Sequence, residues 1–265
     1  MKNQQEKDIN SVVNFNKYPL SDSSFIDSCR ANINRQGSIV LPNFLTESAV
    51  SALIDESINN QEHAYFCRQE HSVYIMPHDE DLPFDHPRNH LVVSSKGCIT
   101  DDQIPNDSFL KLLYRSSVFK RFVANVVGEK NLYQYKDKLS SVNIHFASEG
   151  QELGWHFDNS SFAVTILIQK PESGGEFQYI KDFRDSDNQE MNYDGVDKLL
   201  KNQMSYDTLN MSSGTLVLFR GKNSIHRVTP VEGEKTRILA VLAYNSEPNI
   251  SLSETSRMTF YGRLD

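Results

Sequence analysis

Two hydrophobic periods divide the chain. Up to about residue 130 apolar positions recur mostly at helical spacing; beyond it they come in short apolar runs separated by glycine-containing turns. In the first part, Ser23–Gln36 reads as a helix capped by Ser23 or Ser24 and stopped at Gly37. Ser38–Leu41 is a short strand that Pro42 ends. Thr46 caps a second helix over Glu47–Asn60, with Val50, Leu53, Ile54 and Ile58 on one stripe. Asp107–Ser116 and Ser117–Val127 carry further apolar faces and are closed by Gly128. Val73–Met76 predicts a strand. Pro77–His90, with its prolines, histidines and acids, predicts a loop, and residues 1–15 are polar and expected to be loose.

The second part predicts strands at Leu132–Tyr135, Ser140–Phe146, Phe162–Ile168, Glu176–Ile180, Thr215–Phe219, Ile225–Pro230 and Arg237–Tyr244. Turns such as Ser173-Gly174-Gly175 and Ser212-Ser213-Gly214 separate them. Many short strands with such turns predict a sandwich or barrel of the jelly-roll kind. The expectation is one domain over 1–265, mainly β with N-terminal helices. A helical and loop part, 1–130, packs on a β core, 131–265, whose polar insert 181–210 carries a short helix at Tyr193–Gln203.

Composition narrows the partners. A net charge of −8 over 265 residues, with a pI of about 5.5, argues against nucleic acid or an anionic membrane as the main partner. Cys29, Cys67 and Cys98 are few, odd in number and widely spaced, which predicts reduced thiols and a cytoplasmic setting. The polar start, Met1-Lys2-Asn3-Gln4-Gln5, has no apolar h-region, and no apolar run approaches the roughly 18 residues that span a bilayer. The chain is therefore expected to be neither secreted nor membrane-embedded.

The chemistry concentrates in Gly154-Trp155-His156-Phe157-Asp158-Asn159, just before the apolar run Phe162–Ile168. In extended backbone, residues i and i+2 project from one face, so His156 and Asp158 can reach one ion. His226, 70 residues after His156 and close behind the run Thr215–Phe219, is the third ligand candidate. Two imidazoles and one carboxylate with the other positions open suit non-heme Fe(II). A lone H-x-D is a weak signal, and His78-Asp79-Glu80 also matches H-x-[DE] without opening a strand. Arg237 sharpens it. It lies 11 residues after His226 inside an alternating apolar strand, where a charge is costly unless paired. A dicarboxylate co-substrate would pair it through the guanidinium fork. Trp155 reads as core packing.

Together H-x-D, the distant histidine, the arginine and the Ser173-Gly174-Gly175-Glu176 turn resemble the Fe(II)/2-oxoglutarate-dependent oxygenase superfamily over roughly 140–245. That resemblance implies a double-stranded β-helix (jelly roll, cupin-like). It implies Fe(II) on His156, Asp158 and His226, with 2-oxoglutarate and O2 as co-substrates. Arg237 would hold the distal carboxylate of 2-oxoglutarate, with a hydroxyl from Thr229 or Thr165. A narrower resemblance rests on Tyr18-Pro19-Leu20, Val40-Leu41-Pro42-Asn43-Phe44-Leu45, His86-Pro87-Arg88-Asn89, the triad stretch and Phe260-Tyr261-Gly262-Arg263. These look like the clade of free amino-acid halogenases and hydroxylases of the lysine-halogenase type. Halogenases of that clade carry glycine where this chain has Asp158, and the vacated coordination position takes chloride. The carboxylate here implies the hydroxylase branch. The lysine enzyme also places an acid where this chain has Asn159.

The resemblance implies hydroxylation of an unactivated C–H in a free amino acid, with release of succinate and CO2. Arg88 is the candidate clamp for the α-carboxylate, and Asn143, His145 and Asn159 are candidate pocket contacts. The Tyr261-Gly262-Arg263 tail is a candidate lid. Four rival readings stay open: a hydroxylase of a peptide or carrier-bound residue, a desaturase, a cupin-like metalloprotein or isomerase that does not use 2-oxoglutarate, and a degenerate fold serving as a binding module.

Overall fold

The computed structural model describes residues 9–265; residues 1–8 of the stretch expected to be loose lie outside the described residues. The remainder of that stretch is packed, with Ile9, Val12 and Val13 buried in the main core and Val13 bridging to Leu45. Helix α1 (Ser23–Gln36) is capped by Asp22, whose carboxylate accepts from the Phe25 N–H at 2.8 Å, one residue earlier than expected. Strand β1 (Ser38–Leu41) follows Gly37, and Thr46 caps α2 (Glu47–Asn60) as predicted. Helices α3 (Phe109–Arg115) and α4 (Ser117–Val127) bury Leu110, Leu113, Phe119, Phe122, Val123 and Val126 at helical spacing.

Between α2 and α3 the structure departs from the sequence reading. Tyr65–Ser72 and Leu91–Ile99 are strands β2 and β3, paired antiparallel from Tyr65↔Cys98 to Ser72↔Leu91. Val73–Met76 is the turn that leaves β2 and opens the long connection to β3, not a strand: Ile75 has φ 50 and the Met76 N–H bonds the Ser72 hydroxyl.

The later strands are β4 (Val142–Ala147), β5 (Leu153–His156), β6 (Ala163–Gln169), β7 (Ser173–Gly174), β8 (Phe177–Ile180), β9 (Asp207–Leu209), β10 (Thr215–Phe219), β11 (Ile225–Val228), β12 (Val231–Glu232) and β13 (Arg237–Leu242). Helix α5 (Tyr193–Leu200) lies in the insert and α6 (Glu254–Tyr261) near the C-terminus. The run Leu132–Tyr135 contributes only an isolated bridge, Tyr133↔Asn245, and the insert supplies β9, which was not expected.

Among the described residues, an antiparallel sheet of eleven strands runs β1-β10-β6-β13-β4-β3-β5-β11-β8-β9, with β2 beside β3. A single register pair, Ser94↔Leu153, joins β3 to β5. This is the mainly β jelly roll with N-terminal helices that the sequence predicts. One face of β4, β6, β10 and β13 packs against the helices through Ile144, Phe146, Ile166, Leu218, Ile238 and Ala240. The other face of β13 carries Arg237, Leu239 and Val241, and Leu239 packs on Leu167, Val217 and Phe219 inside the fold. No helix among the described residues is long and apolar enough to cross a membrane.

Candidate active site

Strand register brings the distant imidazoles together. β5 and β11 pair antiparallel with His226 directly opposite His156, so both project from one face and their ring centroids lie 4.2 Å apart. Asp158 continues just beyond β5, its N–H bonded to the Gly221 carbonyl. Its Oδ1 sits 3.8 Å from His156 Nε2 and 3.5 Å from His226 Nε2. One ligand atom from each of the three residues fits within 4.8 Å of the others.

The outer nitrogens fix the tautomers. His156 Nδ1 donates to the Gly154 carbonyl at 2.7 Å, and His226 Nδ1 donates to the Ser224 carbonyl at 3.0 Å. A carbonyl only accepts, so each Nδ1 carries the proton and each Nε2 lone pair faces Asp158. His226 is buried, its ring stacked on Phe177 and edge-on to Phe219. Burial, then the neighbouring His226, push the His156 pKa well below the ordinary imidazole value, which keeps the ring a neutral donor. Burial would raise the Asp158 pKa, but His226 and His156 outweigh it and hold the acid as a carboxylate. Two neutral Nε2 donors and one carboxylate oxygen converging from one side are a donor set that fits Fe(II).

Gly221 is a site residue that sequence reasoning passed over. A Cβ there would fall 1.9 Å from Asp158 Oδ2, so only glycine leaves room for the carboxylate. No motif marks it beyond a small residue in the turn after β10.

Arg237 is buried on the inward face of β13. Its Nε donates to the Gly175 carbonyl at 3.0 Å, and it forms no ion pair among the described residues. Burial pushes its pKa down to about 10, so the guanidinium stays charged at neutral pH. The turn holding it needs Gly175: φ is +60, and a Cβ would stand 2.8 Å from Arg237 Cδ. Thr229 meets the same turn, its hydroxyl accepting the Glu176 N–H at 3.0 Å. Thr165 sits on the inward face of β6, opposite Val241 and Val217.

A cavity of about 410 Å3, the size of a small-molecule site, opens beside His156, Asp158 and Asn159. Its other walls are the β2–β3 hairpin, with Cys67, His71 and Lys96, and the C-terminal helix α6, with Ser256, Thr259 and Phe260. The wall comes from residues before the Tyr261-Gly262-Arg263 tail: none of those three lines the cavity, and Tyr261 is buried with its hydroxyl on Asn143. Of the expected substrate contacts, Asn159 lines this cavity, and Arg88, Asn143 and His145 do not. Arg88 is buried in the 77–90 loop, where its Nη1 donates to the Pro77 carbonyl at 2.9 Å; the backbone takes the guanidinium that was expected to clamp substrate. Asn143 donates to the Leu139 and Val142 carbonyls at 2.7 and 3.0 Å and accepts from the Tyr261 hydroxyl at 2.9 Å, which makes it an anchor for the tail. His145 faces inward between Lys96 and Arg237; burial and these two cations lower its pKa and keep the ring neutral. Trp155 packs as expected in a core cluster, with Arg227 4.7 Å from its ring centroid.

Comparison with known proteins agrees with this geometry. The family model described as Halogenase D (HalD) matches residues 21–261. No curated protein matches the sequence. Among solved structures, an oxidoreductase of the 2OG-Fe(II) oxygenase family from Burkholderia pseudomallei is similar at 15% identity and TM-score 0.53, covering 85% of this chain and 93% of that one. The non-heme alpha-ketoglutarate-dependent epimerase SnoN of nogalamycin biosynthesis reaches TM-score 0.58 at 12% identity, over 84% of this chain and 81% of that one. A Pseudomonas putida prolyl-4-hydroxylase gives TM-score 0.50 at 11% identity, over 82% of this chain and 96% of that one. SnoN has also been solved in complex with Fe3+ and alpha-ketoglutarate. At these identities the likeness is one of fold, while the family match spans nearly the whole chain. The chain belongs to the Halogenase D family, and its fold is that of the 2OG-Fe(II) oxygenases.

Proposed function

We propose that the chain hydroxylates an unactivated C–H bond of a free amino acid or similar small molecule, with release of succinate and CO2. The carrying observation is Asp158, which directs a carboxylate oxygen to the same point as the two Nε2 atoms and is seated by Gly221. A halogenating site of the resembling clade has glycine at this position and so a place for chloride. Here the carboxylate fills that place, which favours hydroxylation over halogenation.

His156, Asp158 and His226 would hold Fe(II), and Arg237 would pair the distal carboxylate of 2-oxoglutarate. When bound, iron and co-substrate supply the oxidising power that breaks the C–H bond. The residues of this chain do the placing. The carbonyls of Gly154 and Ser224 orient the imidazoles, Phe177 and Phe219 pack His226, and Gly175 and Thr229 shape the turn that holds Arg237. The β2–β3 hairpin and α6 wall a cavity that would seat the substrate beside Asn159. The cavity's size favours a small substrate over a peptide. The test is succinate release by the iron-loaded protein against the free amino acids in chloride-containing buffer, with mass analysis of products. The reading predicts that at least one amino acid stimulates succinate formation and gains one oxygen atom. Chlorinated product, or stimulation by peptides alone, would sink it.

A further inference from the structure

Lys96 has no role in that scheme. It stands on β3 and lines the cavity shared with His156 and Asp158. Its Nζ lies 3.3 and 3.4 Å from the two ring nitrogens of His145 and 5.1 Å from the centroid of the Phe260 ring. It forms no ion pair among the described residues, and Asp158, the proposed iron ligand, is the one carboxylate acting on it. Burial pulls its pKa below the ordinary lysine value, so its surroundings disfavour the charge they hold. A cation in this position is costly without an anion to meet it.

Two carboxylates could meet it, from co-substrate or from substrate. Arg237 and Lys96 flank His145, and both charges lower its pKa. Arg237 is tied to the Gly175 turn, does not line the cavity, and already serves the co-substrate in the reading above. Lys96 is the cation that faces the open space. Around it the cavity offers hydroxyls from Ser94, Ser253, Ser256 and Thr259 and, among the described residues, no acid other than Asp158. An incoming ammonium would meet Lys96 with no free carboxylate to offset the repulsion.

We propose that Lys96 is the clamp for a carboxylate of the substrate, and that it biases the site toward acids and against a second cationic group such as a lysine side chain. This rests on the oxygenase reading of the site. The ammonium and the α6 hydroxyls together would grip the carboxylate, and Phe260, beside Lys96, would couple that grip to the tail helix.

The test compares wild type, Lys96→Met and Lys96→Arg, loaded with Fe(II) without oxygen. Binding of 2-oxoglutarate is followed by the absorption band of its iron chelate. The free amino acids and their carboxamides are then titrated as perturbations of that band. The expected result has three parts. Lys96→Met binds 2-oxoglutarate within about twofold of wild type. Wild type prefers a free acid over its amide, and Lys96→Met weakens the acid roughly 10- to 100-fold and erases the preference. Lys96→Arg retains most of it. Metal-free Lys96→Met, relieved of an unpaired cation, should melt at or above the wild-type temperature. Loss of 2-oxoglutarate affinity in Lys96→Met would reassign Lys96 to the co-substrate and overturn the proposal. Equal binding of acid and amide, or no response to any acid while 2-oxoglutarate binds normally, would overturn it too. So would a melting point more than about 3 °C below wild type, the mark of a structural strap between sheet and tail. If the chelate band never forms in wild type, the oxygenase reading itself fails and the clamp falls with it.

Discussion

The two sides of the cavity are built differently. On the metal side, β5, β11 and β13 hold His156, His226 and Arg237 through sheet register and backbone carbonyls, with aromatic packing around His226. On the open side, the hairpin and α6 present Cys67, His71, Lys96, Ser256 and Thr259. Helix α6 is attached there largely by side-chain contacts: Leu252 N–H to Asp137, Tyr261 to Asn143, and Arg263 to Asp102. Chemistry that tolerates little displacement sits where the main chain dictates position. On the proposed reading, the selection of substrate sits where a few side chains can change without disturbing the barrel.

If that contrast is right, damage to the metal side should be large and indifferent to substrate. His226→Ala leaves two donors that no longer enclose an ion. Fe(II) affinity should fall by more than about 100-fold, beyond what loss of an outer partner of a ligand does, and succinate release should disappear. Calorimetric titration with Fe(II) in the absence of oxygen measures it. Near-normal affinity would mean that the iron is held elsewhere.

Arg237→Met comes next. The 2-oxoglutarate KM should rise roughly 100-fold, the scale of a lost charge-assisted pair, while Fe(II) affinity changes little. Because the guanidinium has no acid partner among the described residues, the variant without co-substrate should be no less stable than wild type by thermal melting. Unchanged KM would remove 2-oxoglutarate from Arg237. Smaller still is Gly221→Ala, whose methyl group must push Asp158 aside. Fe(II) affinity should drop about 10-fold, at the low end of outer-partner effects, with the fold intact by circular dichroism.

The same division governs what could be read from the sequence. His156 and Asp158 are legible because they stand two residues apart just before an apolar run, His226 because it follows another, and Arg237 because a charge interrupts a strand that otherwise alternates inward and outward. The hairpin was not legible. Strand signals come from a buried face, and β2, Tyr65-Phe66-Cys67-Arg68-Gln69-Glu70-His71-Ser72, turns one face to solvent and places Cys67, Gln69 and His71 along the polar cavity. Missing that strand hid Lys96 on its partner. Arg88 misled for the opposite reason. Its sequence context marks a cation in a loop, but nothing in sequence shows that a carbonyl ten or so residues away, that of Pro77, will claim it.

The weakest expected effect concerns the tail. Arg263 Nη2 donates to both Asp102 oxygens at 2.6 and 2.9 Å, in a pair about one third exposed on each side. Partly exposed pairs of this kind contribute on the order of 1 kcal/mol or less. Burial would raise the Asp102 pKa, but Arg263 and Thr100 outweigh it and hold it below the ordinary carboxylate value. A depressed pKa in the folded state means that the pair is intact at neutral pH, where the acid is charged in both states. Its contribution is lost only as pH falls below the usual carboxylate range and through the folded value. Arg263→Ala should therefore leave Fe(II) and 2-oxoglutarate binding unchanged and raise the KM for substrate about two- to threefold at pH 7, the range a weak exposed pair allows. Below pH 4, the thermal stabilities of variant and wild type should converge. A tenfold or larger rise in KM would show instead that the tail is held to the cavity mainly by this pair, and that the open side is less adaptable than its construction implies.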